Sequence, residues 1–253
     1  MLCGMDLGSR SVKVVTMDKN QLLDTFMFDT TEFYRNYGKK HHEELVVDFR
    51  GLGLPVADKI ISTGYGRLTI KIAGSEVVSE LKAHMLGAMY QTGLENFTLL
   101  DLGGQDSKVI KVKNGKMVDF NTNDKCAASS GRYLENMAEV LGISLNQLGK
   151  HFDNPVDLSS TCAVFGESEL IGKIVEGCSV EELAAGINYT IFKRVKPLLV
   201  NMLTGSIIFT GGVAKNKALH KIIEDELSVP VIIPERPQMN GAIGCCVYAG
   251  DNL

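Results

Sequence analysis

The sequence lacks an excess of positive charge and lacks a long apolar run. Its 253 residues carry a formal net charge of −4, so nucleic acid and anionic membranes would not be attracted to the surface as a whole. The most apolar window, 197–213, contains Asn201, Thr204 and Ser206 and is too interrupted to span a bilayer. These absences predict a protein with no nucleic-acid partner and no membrane partner.

The N-terminus lacks the pattern of a signal peptide, because Asp6 and Arg10 interrupt the first apolar residues. Low-complexity segments and long flexible linkers are also absent. We therefore expect a cytoplasmic protein whose 6 cysteines are reduced thiols, core residues or metal ligands rather than disulfides. With 45% hydrophobic residues, the chain can form one large domain or two small ones.

Hydrophobic periodicity and capping residues predict alternating strands and helices. The predicted strands are two within 1–17, then 22–28, 59–63, two within 99–119, 207–210 and 229–233. The predicted helices are 33–50, 76–90, 127–141, 145–150, 160–174, about 180–202, 216–227 and one that begins at 240. Ser144 and Ser179 are expected to cap two of them, the second with Glu182 in a capping box. The histidines at 41–42 are expected on a solvated helix face.

Two strand–turn–strand segments are related by an offset of 95 residues. The sequence Asp-Leu-Gly at 6–8 matches 101–103, and Lys13 matches Lys108. In each copy a second turn follows the second strand, which is the pattern of a β-hairpin. The chain is therefore predicted to contain an internal duplication, and each copy opens on a hairpin whose first turn carries an aspartate and a glycine.

Two such turns indicate a site for a nucleotide. Glycine lets backbone N–H groups approach phosphate oxygens, and an aspartate can hold Mg²⁺ through water. The glycine pair 211–212, where a predicted strand meets a helix, is expected to lie flat under ribose and adenine. One Asp-Leu-Gly by itself would be an ordinary turn, whereas two of them with this junction favour a nucleotide. The predicted nucleotide-binding residues are Gly8, Ser9, Arg10, Lys13, Gly103, Gly104, Gln105, Gly211, Gly212 and Asn216.

Cys126 and Cys162 each stand immediately before an apolar-periodic helix. The positive end of a helix dipole lowers the pKa of a thiol and favours thiolate ligands. Two thiolates cannot complete a [4Fe–4S] cluster, which takes four, but a symmetric homodimer would supply four. A shared zinc ion would satisfy the same four ligands. The remaining cysteines, Cys3, Cys178 and the pair 245–246, are expected to be structural.

These motifs resemble the iron–sulfur branch of the actin/hexokinase/sugar-kinase ATPase superfamily, which contains activators of 2-hydroxyacyl-CoA dehydratases and the ATP-binding subunits of benzoyl-CoA reductases. The resemblance covers nearly the whole chain, and the motifs around Cys126 and Cys162 are specific to this branch. It rests on the segments 6–9, 63–67, 101–106, 123–128, 160–169, 210–216 and 240–244.

The resemblance implies an α/β fold of two ribonuclease-H-like domains with a nucleotide cleft between them. The first domain is expected at 1–95, completed by about 238–253, and the second at 96–237. ATP or ADP would bind with Mg²⁺ held through water by Asp6 and Asp101.

The resemblance also implies roles for particular side chains. Asp6, Asp101 and Gln105 would act in the phosphate turns, and Glu80 would orient the attacking water. Cys126 and Cys162 would bind one [4Fe–4S] cluster per homodimer. The turn 64–67 is interpreted either as a plain connection or as a place where Arg67 contacts a partner or links the cluster to the nucleotide.

The function implied is ATP-driven, low-potential electron transfer. A ferredoxin or flavodoxin would donate the electron, and an iron–sulfur enzyme would accept it: a 2-hydroxyacyl-CoA dehydratase, a benzoyl-CoA-type reductase or a double-cubane reductase. A small-molecule (sugar) kinase of the same superfamily is the alternative, but it leaves Cys126 and Cys162 without a purpose. A nucleotide-binding regulator without turnover is a third hypothesis.

Overall fold

The computed structural model describes residues 1–64, 71–123, 130–159 and 163–250. The chain divides into two compact units, Met1–Glu95 with Pro234–Leu253, and Asn96–Ile233. Cys126 and Cys162 lie outside the described residues, as do residues 65–67 of the turn at 64–67. Within the described part of the chain, no helix combines the length and apolar character needed to cross a membrane.

The first unit is built on a five-stranded sheet of order β3-β2-β1-β6-β8, with a three-stranded sheet of order β4-β5-β7 beside it. Its elements are β1 (Leu2–Leu7), β2 (Ser11–Asp18), β3 (Gln21–Asp29), α1 (Thr30–Tyr37), β4 (Gly38–His41), β5 (Glu44–Val47), β6 (Lys59–Thr63), β7 (Lys71–Ile72), β8 (Ser75–Val77), α2 (Glu80–Thr92) and α8 (Asn240–Gly250). Helices α2 and α8 pack closely because a Cβ on Gly244 would lie 1.7 Å from the carbonyl oxygen of Ala83.

The second unit repeats this plan with a five-stranded sheet of order β11-β10-β9-β12-β13. Its elements are β9 (Phe97–Leu102), β10 (Ser107–Lys113), β11 (Lys116–Asn123), α3 (Gly131–Val140), α4 (Leu145–Leu148), α5 (Ala163–Val175), α6 (Val180–Val200), β12 (Ile207–Thr210), α7 (Lys217–Leu227) and β13 (Val231–Ile232). The core lies against one face of this sheet. Its central helix, α6, buries Leu183, Ile187, Ile191, Val195 and Leu199 at a spacing of four residues.

The internal duplication predicted from the offset of 95 is confirmed by the strand register. Asp6 lies opposite Lys13 across β1 and β2, and Asp101 lies opposite Lys108 across β9 and β10. A β-bulge follows Thr16 in the first hairpin and Lys111 in the second, which are equivalent positions. The two hairpins therefore share their pairing as well as their sequence pattern.

The duplication also includes one parallel strand in each unit, β6 and β12, although these two strands are not separated by 95 residues. β6 pairs with β1 so that Thr63 lies opposite Asp6, and β12 pairs with β9 so that Thr210 lies opposite Asp101. Gly64 therefore occupies in the first unit the place that Gly211 occupies in the second. The sequence comparison missed this because the segments between the hairpin and the parallel strand differ in length.

The predicted helix over 33–50 is wrong. Helix α1 ends at Tyr37, and the strands β4 and β5 follow as an antiparallel hairpin. Leu45 and Val47 are buried while Val46 is exposed, which is the period of a strand. The histidines at 41–42 lie at the turn of this hairpin and not on a helix.

The helix predicted over 76–90 begins later, at Glu80. Residues 75–77 form the short edge strand β8, and the side chain of Ser79 accepts a hydrogen bond from the Lys82 N–H as the helix N-cap. Val77, inside the predicted helix, lies on this edge strand and is 38% exposed.

Other predicted elements are confirmed with shifted ends. Ser144 and Ser179 are both N-caps as predicted, Ser179 with the predicted capping box and Ser144 with one as well, and Asn216 caps α7. The final strand is only Val231–Ile232, shorter than predicted. Helix α3 begins at Gly131, later than the predicted start at residue 127, because its N-cap Ser130 has an extended backbone (φ −133°, ψ 179°); residues 127–129 lie outside the described residues.

Candidate nucleotide site

In each hairpin we call the segment that begins at the aspartate the carboxylate turn: the first starts at Asp6 and the second at Asp101. The first carboxylate turn places Asp6 beside a lysine in the first unit. Asp6 is buried near the end of β1, and its Oδ2 is 3.4 Å from Nζ of Lys13. A Cβ on Gly8 would lie 2.7 Å from that Nζ and 2.7 Å from the backbone carbonyl oxygen of Ser11, so this close turn favours glycine at residue 8. The positive charge of Lys13 offsets the free-energy cost of burying this carboxylate.

The first turn is also held by residues at the start of α1. Thr30, the first residue of α1, donates from its hydroxyl to the carbonyl oxygen of Gly8 at 2.7 Å. Arg10 is exposed and forms an ion pair with Asp29, at 3.2 Å between Nη1 and Oδ2. Ser9 is partly exposed beside it. The predicted residues Gly8, Ser9 and Arg10 therefore lie on one turn, and Lys13 lies on the strand β2 that follows it.

The second carboxylate turn surrounds Asp101 more completely. Its Oδ1 accepts a hydrogen bond from the Thr210 hydroxyl at 2.7 Å, and its Oδ2 is 3.8 Å from Nζ of Lys108. Lys108 also contacts the carboxylate of Asp106. Asp101 and Lys108 are buried, and Gln105 is exposed at the tip of the turn. The ion pair of Asp101 and Lys108 is therefore held by Thr210 on the aspartate side and by Asp106 on the lysine side.

The N-terminus of α3 holds the carbonyl groups of the second turn. Gly131 N–H donates to the Gly103 oxygen at 2.9 Å, and Arg132 N–H and the Ser130 hydroxyl donate to the Gly104 oxygen at 3.0 and 2.9 Å. In a trans peptide the next N–H points opposite to the carbonyl. The N–H groups of Gly104 and Gln105 therefore point away from α3, as two adjacent donors suited to phosphate oxygens.

Gly211 joins β12 to the second turn. Its φ of 87° lies in the region that favours glycine, and a Cβ would lie 2.2 Å from the carbonyl oxygen of Leu102. Gly212 begins the following 3₁₀ turn. Asn216 is buried: its Oδ1 accepts from the Leu219 N–H, and its Nδ2 donates to Asn188. Asn216 therefore has a structural role in these contacts, and nucleotide binding by it stays a prediction.

Replacing Gly211 by alanine is expected to weaken nucleotide binding at least about tenfold, because a left-handed alanine is strained by ~1 kcal/mol or more and its Cβ must displace Leu102. Titration calorimetry with a non-hydrolysable ATP analogue measures this. Gly205→Ala is the control, since nothing lies within 4 Å of a Cβ there. Wild-type affinity in a folded Gly211→Ala protein would contradict the role of this junction.

Glu80 is the first residue of α2 and is partly exposed. A carboxylate in the first turn of a helix is stabilised by the helix dipole. His84, one turn further along the same helix, is buried, and a Cβ on Gly241 would lie 3.0 Å from its Nε2 and 3.2 Å from Oδ2 of Asp6. His84 is not among the predicted site residues, although it lies on a predicted helix four residues after the predicted catalytic carboxylate.

Three of the described cysteines are buried thiols. Burial raises the pKa of Cys3 and of Cys246 to about 12, and it raises the pKa of Cys245 as well. They stay protonated at neutral pH, when thiols are poor metal ligands. No group of three or more histidine, cysteine, aspartate or glutamate side chains that could hold a metal ion occurs among the described residues.

Two sheets of the same order, each with a carboxylate turn and a parallel strand that ends at a glycine, define an ATPase fold of the actin and sugar-kinase type. A structure of MreB 5 of Spiroplasma citri bound to AMPPNP has this fold: the TM-score is 0.61 at 13% identity, over 99% of this chain and 96% of that one.

The chain belongs to the BadF/BadG/BcrA/BcrD ATPase family, whose model matches residues 3–249. It is 34% identical to the 2-hydroxyisocaproyl-CoA dehydratase activator of Clostridioides difficile, over 98% of this chain and 94% of that protein. It is 38% identical to the (R)-2-hydroxyglutaryl-CoA dehydratase activating ATPase of Acidaminococcus fermentans, over 75% of this chain and 74% of that one. The structure of the Clostridium difficile activator with bound ADPNP has a TM-score of 0.85 at 31% identity, covering 99% and 94% of the two chains.

Proposed function

We propose that this protein is an ATP-driven electron-transfer activator. It takes an electron from a reduced ferredoxin or flavodoxin and passes it, as ATP is hydrolysed, to a partner iron–sulfur enzyme. The observation that carries the proposal is the pair of matched carboxylate turns in a member of this ATPase family. The partner we infer is a 2-hydroxyacyl-CoA dehydratase, because relatives are named as activators of such enzymes. Benzoyl-CoA-type and double-cubane reductases are the other partner classes.

Each turn, taken by itself, carries donor groups of the kinds that bind phosphate oxygens and hydrated Mg²⁺. Asp6 and Asp101 would hold the hydrated Mg²⁺, an ion that keeps most of its water and prefers carboxylate oxygens. The N–H groups of Gly104 and Gln105 would bind phosphate oxygens, and Lys13 would add positive charge. When bound, Mg²⁺ neutralises charge on the transferred phosphoryl group.

Glu80 is proposed to orient the water that attacks the γ-phosphate. Its replacement by alanine should therefore lower ATP turnover at least about tenfold while nucleotide affinity stays within about threefold, because a water-positioning carboxylate acts on the chemical step. Steady-state phosphate release and ADPNP titration measure the two quantities. Glu95→Ala is the control, since Glu95 is an exposed carboxylate just after the same helix. Unchanged turnover in folded Glu80→Ala protein would refute this role.

The proposed cluster site lies on the second unit. Cys162 directly precedes Ala163, where α5 begins, and Cys126 stands four residues before Ser130, the N-cap of α3. When bound, a [4Fe–4S] cluster supplies a one-electron carrier. The two cysteines of one chain provide half of its thiolates, so the proposal requires a homodimer.

The exposed surface of α5 supports the association of two copies. One face packs against α3, where a Cβ on Gly166 would lie 3.4 Å from Sδ of Met137. On the remaining surface Ile171, Ile174 and Val175 are exposed, the last by 83%. An exposed apolar face on the helix that follows Cys162 in the sequence is suited to burial against the same face of a second copy.

Hydrolysis can drive electron transfer only if ATP favours one conformation of the protein over another. The test is an anaerobic spectrum of the purified protein, oxidised and then reduced with dithionite, first with ADP and then with ATP. We expect an iron–sulfur spectrum that dithionite bleaches and that responds differently to the two nucleotides. A protein without iron that phosphorylates a sugar would instead support the kinase alternative.

A further inference from the structure

Asn188 is a fully buried amide in the second unit. It lies on α6, the central helix of the core, between the buried residues Ile187 and Ile191. Another segment of the chain packs directly on the backbone of this helix, since a Cβ on Gly186 would lie 2.4 Å from the carbonyl oxygen of Val156. Because packing of this density leaves little room for movement, Asn188 has a fixed position relative to the core.

The orientation of the Asn188 amide is determined by two backbone carbonyl groups. Its Nδ2 donates to the carbonyl oxygens of Leu148 and His151, at 2.9 Å each. A carbonyl oxygen only accepts hydrogen bonds, so the amide atom that faces both oxygens must be the NH₂ group. Oδ1 of Asn188 is therefore directed to the other side, where it accepts a hydrogen bond from Nδ2 of Asn216 at 2.8 Å.

The same reasoning fixes the amide of Asn216. Because its Nδ2 donates to Asn188, its Oδ1 is left to accept the hydrogen bond from the Leu219 N–H, at 2.9 Å, that caps α7. Rotation of the Asn216 amide by 180° would place oxygen against oxygen at one end and N–H against N–H at the other. The N–H of Ala218 also donates to the carbonyl oxygen of Gly149 at 2.8 Å, so the start of α7 has a second contact with the segment that holds Asn188.

Asn216 ends the 3₁₀ turn that follows the first glycine of the pair at 211–212. This turn is Gly212–Lys215, and the Asn216 N–H closes it on the carbonyl oxygen of Val213 at 2.9 Å. The start of the turn is held by Gly211, which packs against β9. Its end is held by the buried pair of amides, Asn188 and Asn216.

We propose that Asn188 is a positioning residue for the nucleoside part of the bound nucleotide. Through Asn216 it fixes the end of the 3₁₀ turn whose glycines would lie under ribose and adenine. The inference rests on the proposed nucleotide site. Asn188 is fully buried and acts through Asn216. The N–H groups of Gly104 and Gln105, proposed to bind phosphate, belong to the second carboxylate turn, which is held by α3. Loss of the Asn188 contacts should therefore weaken binding of the nucleoside and spare binding of the phosphates.

The test compares two ligands of the intact protein in the presence of Mg²⁺: ADPNP, and tripolyphosphate, which has the phosphates without the nucleoside. Asn188→Leu keeps the approximate size of the side chain and removes its hydrogen bonds. We expect it to weaken ADPNP binding about tenfold, the scale for loss of a buried hydrogen bond, while the affinity for tripolyphosphate stays within about twofold. Calorimetric titration measures both dissociation constants.

A second variant, Asn216→Ser, breaks the same contact from its other side. Serine is a good N-cap, so α7 keeps its cap while the amide that contacts Asn188 is lost. The same selective loss is expected, and this variant tests the contact even where Asn188→Leu does not fold. In the Asn216→Ser background, Asn188→Leu should cause no further loss of ADPNP affinity.

Thr190→Val is the matched control. Thr190 is a buried polar residue on the same helix, and its hydroxyl donates to the carbonyl oxygen of Gly186 at 2.9 Å. Its replacement removes a buried hydrogen bond from α6 without changing the contact of Asn188 with Asn216. The thermal unfolding temperature should fall, whereas the ratio of the two ligand affinities should equal that of the wild type.

The outcomes separate this inference from the proposed function. If the folded variants at 188 and 216 lose affinity for both ligands equally, or for neither, the positioning role is overturned. Additive losses of ADPNP affinity in the double variant would overturn it as well. If wild-type protein binds tripolyphosphate as tightly as ADPNP, the glycine pair holds no nucleoside, and the proposed nucleotide site fails first.

Discussion

Replacing Asp101 by asparagine is expected to lower ATP hydrolysis by about a hundredfold or more. Asparagine retains the size of the side chain and can still accept the hydrogen bond from Thr210, which is 2.7 Å in the native site. It removes the negative charge that would hold hydrated Mg²⁺. Loss of one preorganised electrostatic group in an active site typically costs 10²–10³ in rate, roughly 2.7–4 kcal/mol.

The substitution also changes the charge balance of a buried pair. Lys108 is 5% exposed and would keep Asp106 as its remaining anionic partner, so the protein should fold. The measurement is phosphate release at saturating ATP, together with thermal unfolding to confirm the native state. Asp119→Asn is the matched control, because Asp119 is an exposed carboxylate on β11 of the same sheet. Wild-type hydrolysis by folded Asp101→Asn protein would exclude Asp101 from the catalytic site.

The hairpins were predictable because their signals are local. The strand period and the glycine turn are both contained in about twenty residues of each copy, and a fixed offset of 95 residues relates the two copies. The register then follows from the turn, so Lys13 and Lys108, which the offset makes equivalent, lie opposite equivalent aspartates. Capping at Ser179 was predictable for the same reason, since a capping box spans four residues.

The segment after β3 was not predictable from composition. Residues 38–47 contain lysines, histidines and glutamates that suit an exposed helix as well as an exposed hairpin. What decides for the hairpin is tertiary packing: Leu45 and Val47 join the cluster around Phe33 and Met5, and β5 pairs with β7. Burial of a second short sheet against the first is a contact between distant segments, and periodicity within one segment does not report it.

The equivalence of Gly64 and Gly211 was missed because it depends on spatial pairing and not on one offset. Both glycines lie against the residue that follows the aspartate: a Cβ on Gly64 would be 2.6 Å from the oxygen of Leu7. Thr63 and Thr210 nevertheless donate to different acceptors, Val78 and Asp101. The two halves thus share a backbone plan but differ in how each carboxylate is oriented. A sequence repeat indicates the shared plan, whereas the difference depends on side-chain directions.

Replacing Cys162 by serine is expected to abolish the cluster while ATP hydrolysis persists. Wild-type protein purified without oxygen should be brown and contain about four irons per dimer, because one cubane takes four thiolates and each chain is proposed to provide two. Serine removes one thiolate from each chain, and the two that remain per dimer cannot hold a cubane. Iron should fall below about a tenth of the wild-type content, and Cys126→Ser should behave in the same way.

Cys178→Ser is the matched control for this loss. Cys178 is a partly buried free cysteine just before the N-cap of α6, and its replacement should leave iron content and the reduced spectrum unchanged. The remaining cysteines cannot compensate, since burial raises the pKa of Cys3 and of Cys246 to about 12 and both lie in the core of the first unit. Full iron in Cys162→Ser protein would remove Cys162 from the ligand set. Zinc in place of iron in anaerobically purified wild-type protein would leave the dimer but contradict electron transfer, because zinc has no redox chemistry under these conditions.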